Sequence, residues 1–289
     1  MKNLSNGGIL LFNKNSGLTS FDSLKTIKKR FSTSKVGHTG TLDKFAQGLL
    51  LVLVGRAVKL NSLFVGIEKE YYGTIKFGEE TDTLDPEGEI IAEDKLPIKE
   101  DLCLVLEKFR GDILQKPPIY SAIHIDGKRA SKLARSGAAP IMKERPVRIN
   151  KLDLLSYEPP LAEILVRCSA GTYIRSLARD IALAAGSRGH LCALNRTAIG
   201  PFRLTDSSDS LLPPDETLFN ALSIPCFYLN ERAGRDFIHG KPLSGILKEA
   251  KPEANFAGVF QEPRQDGGGE LLGILENRAG KWGYNYVFA

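Results

Sequence analysis

One aspartate follows a run of small and hydroxyl-bearing residues that could present a carboxylate to a substrate. Asp43 ends the segment Gly37–Asp43 (GHTGTLD), and the apolar run Gly48–Gly55 follows closely. A lone acid on a loop backed by a buried strand is a common way to present a catalytic nucleophile. Threonine and aspartate beside glycine are also ordinary turn formers, so Asp43 could instead cap a turn or a helix. The segment alone leaves both interpretations open, and its partners elsewhere in the chain must decide.

Length and composition describe an ordinary globular chain that can bury a sizeable core. Its 289 residues are 42% hydrophobic and 25% charged, which predicts one large domain with a smaller appendage. The longest apolar run, residues 49–54, is far shorter than the ~20 residues that cross a membrane. The N-terminus turns polar at once, and we therefore expect a cytoplasmic protein that does not enter the membrane.

The residues that most often bind metals are scattered. The four cysteines form no C-x-x-C pair, and the four histidines lie equally far apart. We expect reduced thiols and no metal site.

Basic residues are concentrated in two segments of a chain whose net charge is +5. The first basic cluster comprises Lys25, Lys28, Lys29, Arg30 and Lys35, and the second comprises Lys128, Arg129, Lys132, Arg135, Lys143, Arg145 and Arg148. Such a cluster can be a solvated face or a surface that contacts phosphates, and both interpretations stay open.

Periodicity predicts the elements that must position Asp43. Helices are expected over residues 20–31, with Ser20 as the cap, over 102–109, over 128–136, and after Ala170-Gly171-Thr172. Strands are expected over 71–77, 147–155 and 163–168, and the acidic, turn-rich stretch 79–89 is expected to be solvated. A connector near 206–215 and a hairpin turn at 266–269 predict a catalytic domain over 1–225 and a small β-rich domain over 226–289.

Five ordered motifs between residues 8 and 204 resemble the bacterial tRNA pseudouridine-55 synthase (TruB) family. They are Gly37–Asp43 with Ala46 and Gly48, Lys69-Glu70-Tyr71 with the segment to Gly88, Pro117–Ala122 with Gly127, Cys168–Arg175, and Gly189–Leu194 with Arg196. The resemblance implies an α+β pseudouridine synthase fold, with a mixed, mostly antiparallel sheet flanked by helices. The C-terminal segment resembles a PUA-type RNA-binding domain.

The resemblance also implies the reaction. The enzyme would isomerise uridine 55 in the T arm of tRNA, with Asp43 as a nucleophile that attacks either the sugar C1′ or the uracil C6. Nothing is oxidised in this isomerisation, so no cofactor is expected. Arg175 would be the cation that keeps Asp43 ionised, because a guanidinium can hold a carboxylate through two nitrogens. Without the motif, Arg175 would more simply be a phosphate contact or an exposed helix charge.

By the same resemblance, four further side chains would form the substrate site. Tyr71 would stack on the target uracil, and its hydroxyl could assist proton removal at C5, while Tyr173 and Leu194 would line the pocket. His38 would fill the space left by the flipped base or contact the displaced nucleotides. Tyrosines at such positions are otherwise core residues with a wet tip, and a single histidine is otherwise a surface residue.

Four residues depart from the family pattern and bear on RNA contacts more than on chemistry. They are Lys44, His124, Ser131 and Asn195, where proline, lysine, an aromatic residue and arginine are usual. We expect a monomer that acts on tRNA without an obligatory protein partner. Two other functions remain to be tested: an RNA-binding protein with little turnover, and a glycoside hydrolase with a second acid opposite Asp43.

Overall fold

The computed structural model describes residues 7–137, 140–247, 254–263 and 269–288. The strands are β1 (Gly8–Lys14), β2 (Val36–His38), β3 (Gln47–Val54), β4 (Lys69–Phe77), β5 (Glu79–Thr81), β6 (Ile90–Glu93), β7 (Gly111–Gln115), β8 (His124–Ile125), β9 (Lys128–Arg129), β10 (Arg145–Glu158), β11 (Leu161–Cys168), β12 (Gly189–Ile199), β13 (Phe202–Arg203), β14 (Cys226–Leu229), β15 (Phe256–Gln261), β16 (Leu271–Arg278) and β17 (Lys281–Val287). The helices are α1 (Ser20–Arg30), α2 (Ser62–Val65), α3 (Lys99–Glu107), α4 (Ala130–Arg135), α5 (Ile174–Ala184), α6 (Glu216–Ala221) and α7 (Glu231–Ile238).

The central sheet is mixed and mostly antiparallel. Its strand order is β1-β3-β12-β4-β11-β10-β7, with β2 on β3 and β13 on β12, and β3 runs parallel to β12. A second sheet has the order β14-β15-β16-β17. These sheets confirm the α+β class, and the C-terminal β-rich segment is present.

In the central sheet, two strands share one edge of β3 and leave a gap between them. Because β1 pairs with one edge of β3 over its full length, β2 and β12 must share the other edge. There β2 ends at His38, opposite Val52, and β12 joins where Asn195 lies opposite Gln47. The connection over residues 39–46 leaves the sheet between these two points, and it carries Asp43.

The junction between β3 and β12 requires a glycine. Gly48 has a φ of +104°, and a Cβ there would lie 2.3 Å from Asn195 Oδ1 and 2.4 Å from the Arg196 carbonyl oxygen. A larger residue would therefore push β12 away from β3.

The apolar run behind Asp43 is a strand that is buried on both faces. Helix α1 packs Leu24 and Ile27 against one face of β3, next to Leu50 and Val52. The other face lies in a second apolar cluster, so β3 is apolar from Leu49 to Val54 instead of alternating. Helix α1 is confirmed, although Thr19 and not Ser20 caps it, because the Thr19 hydroxyl accepts from the Asp22 amide.

Strand β4 and helix α5 enclose the principal core. Alternate residues of β4 are buried, and Ile75 and Phe77 face the core. Helix α5 covers that face with the apolar stripe of the sequence analysis, which consists of Ile174, Leu177, Ala178 and Ile181. None of the helices among the described residues is long and apolar enough to span a membrane.

The second apolar cluster continues from the central sheet into the C-terminal segment. Its buried members include Ile9, Leu49, Leu51, Phe219, Phe260, Leu271, Ile274 and Phe288. The C-terminal sheet begins with Cys226, but the division at residues 225 and 226 stays a prediction. Residues 266–268 of the expected hairpin turn lie outside the described residues.

Removing one ring from this shared cluster should destabilise the protein. Phe260 is fully buried, and its ring meets that of Phe219 edge to face at 5.2 Å. We expect Phe260→Ala to lower the free energy of unfolding by about 3–5 kcal/mol in urea denaturation. The control, Phe21→Ala, removes a ring that is 62% exposed and should cost less than about 0.5 kcal/mol. Equal losses for the two variants would contradict the shared core.

Candidate active site

The loop that carries Asp43 is tied to neighbouring elements on both sides of the aspartate. The Ser20 hydroxyl donates to the Leu42 carbonyl at 3.0 Å and accepts from the Leu42 amide at 2.9 Å. The Thr39 amide donates to the Leu51 carbonyl at 3.1 Å, and the Gly17 amide donates to the carbonyl of residue 44 at 2.8 Å. The backbone on either side of Asp43 is therefore fixed by α1, β3 and the turn before α1.

Asp43 and Arg175 form the ion pair that the sequence analysis proposed. Arg175 Nε lies 2.9 Å from Asp43 Oδ2, and Arg175 Nη2 donates to Asp43 Oδ1 at 3.2 Å. The arginine side chain is 5% exposed, whereas that of the aspartate is 37% exposed. The guanidinium is thus buried behind the carboxylate, which keeps an open side.

Two backbone carbonyls and a second carboxylate also hold Arg175. Its Nη1 donates to the Thr83 carbonyl at 2.7 Å, and its Nη2 donates to the Tyr120 carbonyl at 3.0 Å. Asp85 Oδ2 lies 3.2 Å from Nη1, and Asp85 is itself 5% exposed. The expectation that the stretch 79–89 is solvated is therefore wrong at Asp85, because the buried guanidinium compensates that carboxylate.

The surroundings of Asp43 act on its pKa in opposite directions. Burial raises the pKa of Asp43, the charge of Arg175 opposes this rise, and the negative charges of Asp85 and Glu87 add to it. Since the net direction is upward, Arg175 limits the proton affinity of Asp43 without abolishing the effect of burial.

A cleft of about 450 Å³ opens in front of Asp43. Tyr71, Tyr173 and Leu194, which the sequence analysis assigned to the substrate site, all line this cleft, together with Ile174. Of the described residues that line it, Asp43 alone carries a carboxylate. The single acid thus lies beside aromatic and aliphatic side chains, which suit a flat, uncharged group.

A buried glutamine fixes Tyr173 in the wall of the cleft. Gln115 is 1% exposed, its Oε1 accepts from the Tyr173 amide at 2.8 Å, and its Nε2 donates to the Tyr173 carbonyl at 3.1 Å. Tyr173 directly precedes α5, so these bonds also set where Arg175 enters the cleft.

Three further buried cations, besides Arg175, lie around the Asp43 loop and use backbone carbonyls as acceptors. Lys14 Nζ donates to the Leu18 carbonyl at 2.6 Å, and Lys69 Nζ donates to the Ile67 carbonyl. Burial lowers the pKa of Lys14, although the charge of Asp43 opposes this, and burial together with Arg196 lowers the pKa of Lys69 to about 8. Arg196, the third cation, is 1% exposed.

His38 is not among the residues that line the cleft. It ends β2, is half-buried, and its Nδ1 has no hydrogen-bond partner among the described residues. Burial, reinforced by the charge of Arg196, lowers the pKa of His38 and favours the neutral imidazole.

The second basic cluster reaches the rim of the cleft. Arg129 and Arg135, at the two ends of α4, are exposed and belong to the cleft lining. Exposed cations at the rim of a cleft with aromatic and aliphatic walls suit a ligand in which a flat base is attached to phosphates.

Comparison with known proteins identifies the family. Residues 28–174 match the model of the N-terminal domain of TruB family pseudouridylate synthases. A tRNA pseudouridine synthase B of Francisella philomiragia is 41% identical over 267 residues, covering 90% of this chain and 85% of the relative. A tRNA pseudouridine synthase B of Borreliella burgdorferi is 48% identical over 204 residues, covering 70% of this chain and 72% of the relative. This chain belongs to the TruB family.

A solved structure shares the fold of this TruB-family chain. A chain of a Cbf5–Nop10–Gar1 complex superposes with a TM-score of 0.65 at 22% identity, covering 96% of this chain and 83% of that chain. The expected pseudouridine synthase fold is confirmed, and family membership makes the protein an isomerase, a pseudouridine synthase.

Sequence reasoning did not assign site roles to Asp85, Lys69, Gln115 or Arg196. All but Gln115 lie in the quoted motifs, which was the available signal. The burial of Asp85, Gln115 and Arg196 depends on carbonyls and charges that are remote in sequence. For Asp85, the turn formers around it are typical of a solvated loop, and that local signal misled the interpretation.

The opposing charges around Asp43 predict pH shifts of opposite sign. If ionised Asp43 is required, Arg175→Gln should move the acid limb of kcat/KM to higher pH, because burial and Asp85 then act unopposed. Glu87→Gln removes one negative charge and should move that limb to lower pH. Pseudouridine formation across a pH series measures both limbs. Shifts in the same direction would contradict this electrostatic account of Asp43.

Proposed function

We propose that this TruB-family enzyme converts uridine 55 in the T arm of tRNA into pseudouridine, with Asp43 as the nucleophile. The relatives named tRNA pseudouridine synthase B, at 41% and 48% identity, support tRNA as the substrate. The cleft supports the choice of Asp43, because it is the one carboxylate among the described lining residues and faces the opening.

The reaction needs a nucleophile and proton transfer, but no oxidant. The bond between C1′ and N1 breaks, a bond between C1′ and C5 forms, C5 loses a proton and N1 gains one. Asp43 attacks either C1′ or C6, Arg175 keeps the carboxylate ionised, and Tyr71 stacks on the uracil while its hydroxyl assists removal of the C5 proton. Tyr173 and Leu194 enclose the base.

The target base must leave the folded T arm to reach Asp43. Flipping a base out of its stack costs about a few kcal/mol, which contacts to the rest of the RNA must offset. Arg129 and Arg135 at the rim are suited to hold phosphates beside the cleft. His38, which ends the strand before the Asp43 loop, contacts the displaced nucleotides as a neutral imidazole.

We further propose that the enzyme works in the cytoplasm as a monomer without an obligatory protein partner. The C-terminal residues 226–289 contribute a PUA-like surface for the same RNA. The two other functions differ in their products: binding without turnover leaves uridine intact, whereas a hydrolase would release free uracil.

An assay on tRNA tests the proposed reaction. Purified protein and unmodified tRNA transcript are incubated without added cofactor, and pseudouridine is mapped with a base-specific chemical probe. We expect modification at position 55 by the wild type and none by Asp43→Asn, because the amide is a poor nucleophile.

The matched control is Asp101→Asn, which removes an exposed carboxylate in the first turn of α3 and should keep full activity. A transcript with cytidine at position 55 checks the site. Undiminished product with Asp43→Asn, or no product at position 55 with wild type, would refute the proposal.

The basic rim predicts an effect on affinity that is separate from chemistry. Arg129→Gln combined with Arg135→Gln should weaken tRNA binding and reduce the slope of log K against log salt by up to about 2, because two phosphate contacts are lost. The rate of bound substrate should change little. Lys99→Gln with Lys108→Gln, at the two ends of α3, is the charge-matched control. Equal weakening by both pairs would indicate only a net-charge effect.

A further inference from the structure

The divided edge of β3 leaves a gap that neither β2 nor β12 fills. β2 pairs with β3 only as far as Val52, and β12 reaches β3 only at Gln47 and Gly48. The Leu49 carbonyl, which lies between these two points, accepts from a side chain. That side chain belongs to Arg196.

Arg196 links the two parts of the divided sheet to the Asp43 loop. Its Nε donates to the Leu49 carbonyl at 2.7 Å, its Nη2 to the Gly40 carbonyl at 3.0 Å, and its Nη1 to the Thr41 carbonyl at 3.4 Å. One planar guanidinium therefore joins β12, β3 and the segment that leads to Asp43. The fixed fork of its donors matches acceptors that face it from two sides.

Arg196 also lies directly across from the proposed stacking residue. The register between β4 and β12 pairs Arg196 with Tyr71, and both residues line the cleft. The charge of Arg196 opposes the rise that burial causes in the pKa of Tyr71.

The partners of Arg196 distinguish it from an ordinary core ion pair. It makes no salt bridge among the described residues, although a buried cation ordinarily requires a carboxylate. Backbone carbonyls stabilise the charge instead, and Asp43 is left to pair with Arg175. A neutral residue of the same length could fill this space, but it could not fix the loop.

We propose that Arg196 is a positioning residue for pseudouridine formation. It holds the Gly40–Thr41 backbone in one frame with Tyr71, its partner across strands β4 and β12, so that the Asp43 carboxylate and the tyrosine ring meet the base in a fixed relation. This inference rests on the proposed function, in which Asp43 is the nucleophile and Tyr71 contacts the uracil. A displacement of about 1 Å at such a site can lower a rate about 100-fold.

Arg196→Lys tests the role of the forked donors, because lysine keeps the charge but cannot reach three carbonyls on two elements. Three quantities are measured: the thermal midpoint of unfolding, the dissociation constant for tRNA, and the single-turnover rate with saturating enzyme. We expect a folded protein that binds tRNA within about 3-fold of wild type and reacts about 100-fold more slowly. Arg110→Lys is the control, since Arg110 also donates to a strand carbonyl, that of Leu152, at 3.1 and 2.8 Å.

A purely structural role predicts a different result. Arg196→Lys would then lower the thermal midpoint, while the single-turnover rate per folded molecule would remain within about 3-fold of wild type, and this would overturn the inference. If Arg196→Lys does not fold, Arg196→Met is measured in its place, because an unbranched apolar chain suits a buried site. A wild-type rate from folded Arg196→Met would likewise overturn the inference.

A double-mutant cycle tests the link to the tyrosine. If Arg196 acts partly through Tyr71, the rate loss of Arg196→Lys with Tyr71→Phe should be clearly smaller than the product of the separate losses. Losses that multiply fully would exclude Tyr71 from the proposed frame. The wild type is assayed first: no pseudouridine with wild type would refute the proposed function, whereas an active wild type with an equally active Arg196→Lys would refute only the inference.

Discussion

The proposed chemistry depends on keeping a carboxylate ionised where burial favours its protonated form. Asp43 meets this constraint through Arg175, which lies 132 residues further along the chain. Burial raises the pKa of Asp43 and the guanidinium opposes the rise. Several elements must therefore converge: α5 presents the arginine, Gln115 fixes the start of α5, and the β2–β3 connection presents the aspartate.

A buried guanidinium needs more acceptors than one half-exposed carboxylate offers. Asp85 and the carbonyls of Thr83 and Tyr120 supply them. Asp85 raises the pKa of Asp43, so its presence is a compromise: it stabilises the cation that Asp43 requires while repelling Asp43 directly. The compromise works because Asp85 lies against Arg175 and does not line the cleft, which leaves Asp43 as the acid that a substrate meets.

Sequence reasoning predicts local features of this protein well and remote ones poorly. Helices α1 and α5 can be predicted from the helical spacing of their apolar residues, because one face of each is buried. Strand β3 can be predicted from its continuous apolar run, because both of its faces are buried. Asp43, Arg175 and Tyr71 were found because motifs carry them. Asp85 was misjudged because aspartate among turn formers is usually solvated, and its burial depends on an arginine 90 residues away.

Buried cations show why contacts between residues that are remote in sequence are not predicted from sequence patterns. Periodicity assigns lysine and arginine to solvent, yet Lys14 is fully buried and Arg196 nearly so. Each is stabilised by backbone carbonyls, which every residue type offers and which leave no trace in the sequence. The carbonyls that accept from Lys14 belong to Asn15 and Leu18, before α1, and to Lys44. Those that accept from Arg196 belong to Leu49, at the edge of β3 that neither β2 nor β12 covers, and to Gly40 and Thr41 in the Asp43 loop. For Arg196, the gap that admits the loop thus also supplies the acceptors, so the position of Asp43 and the burial of this positive charge have one structural origin.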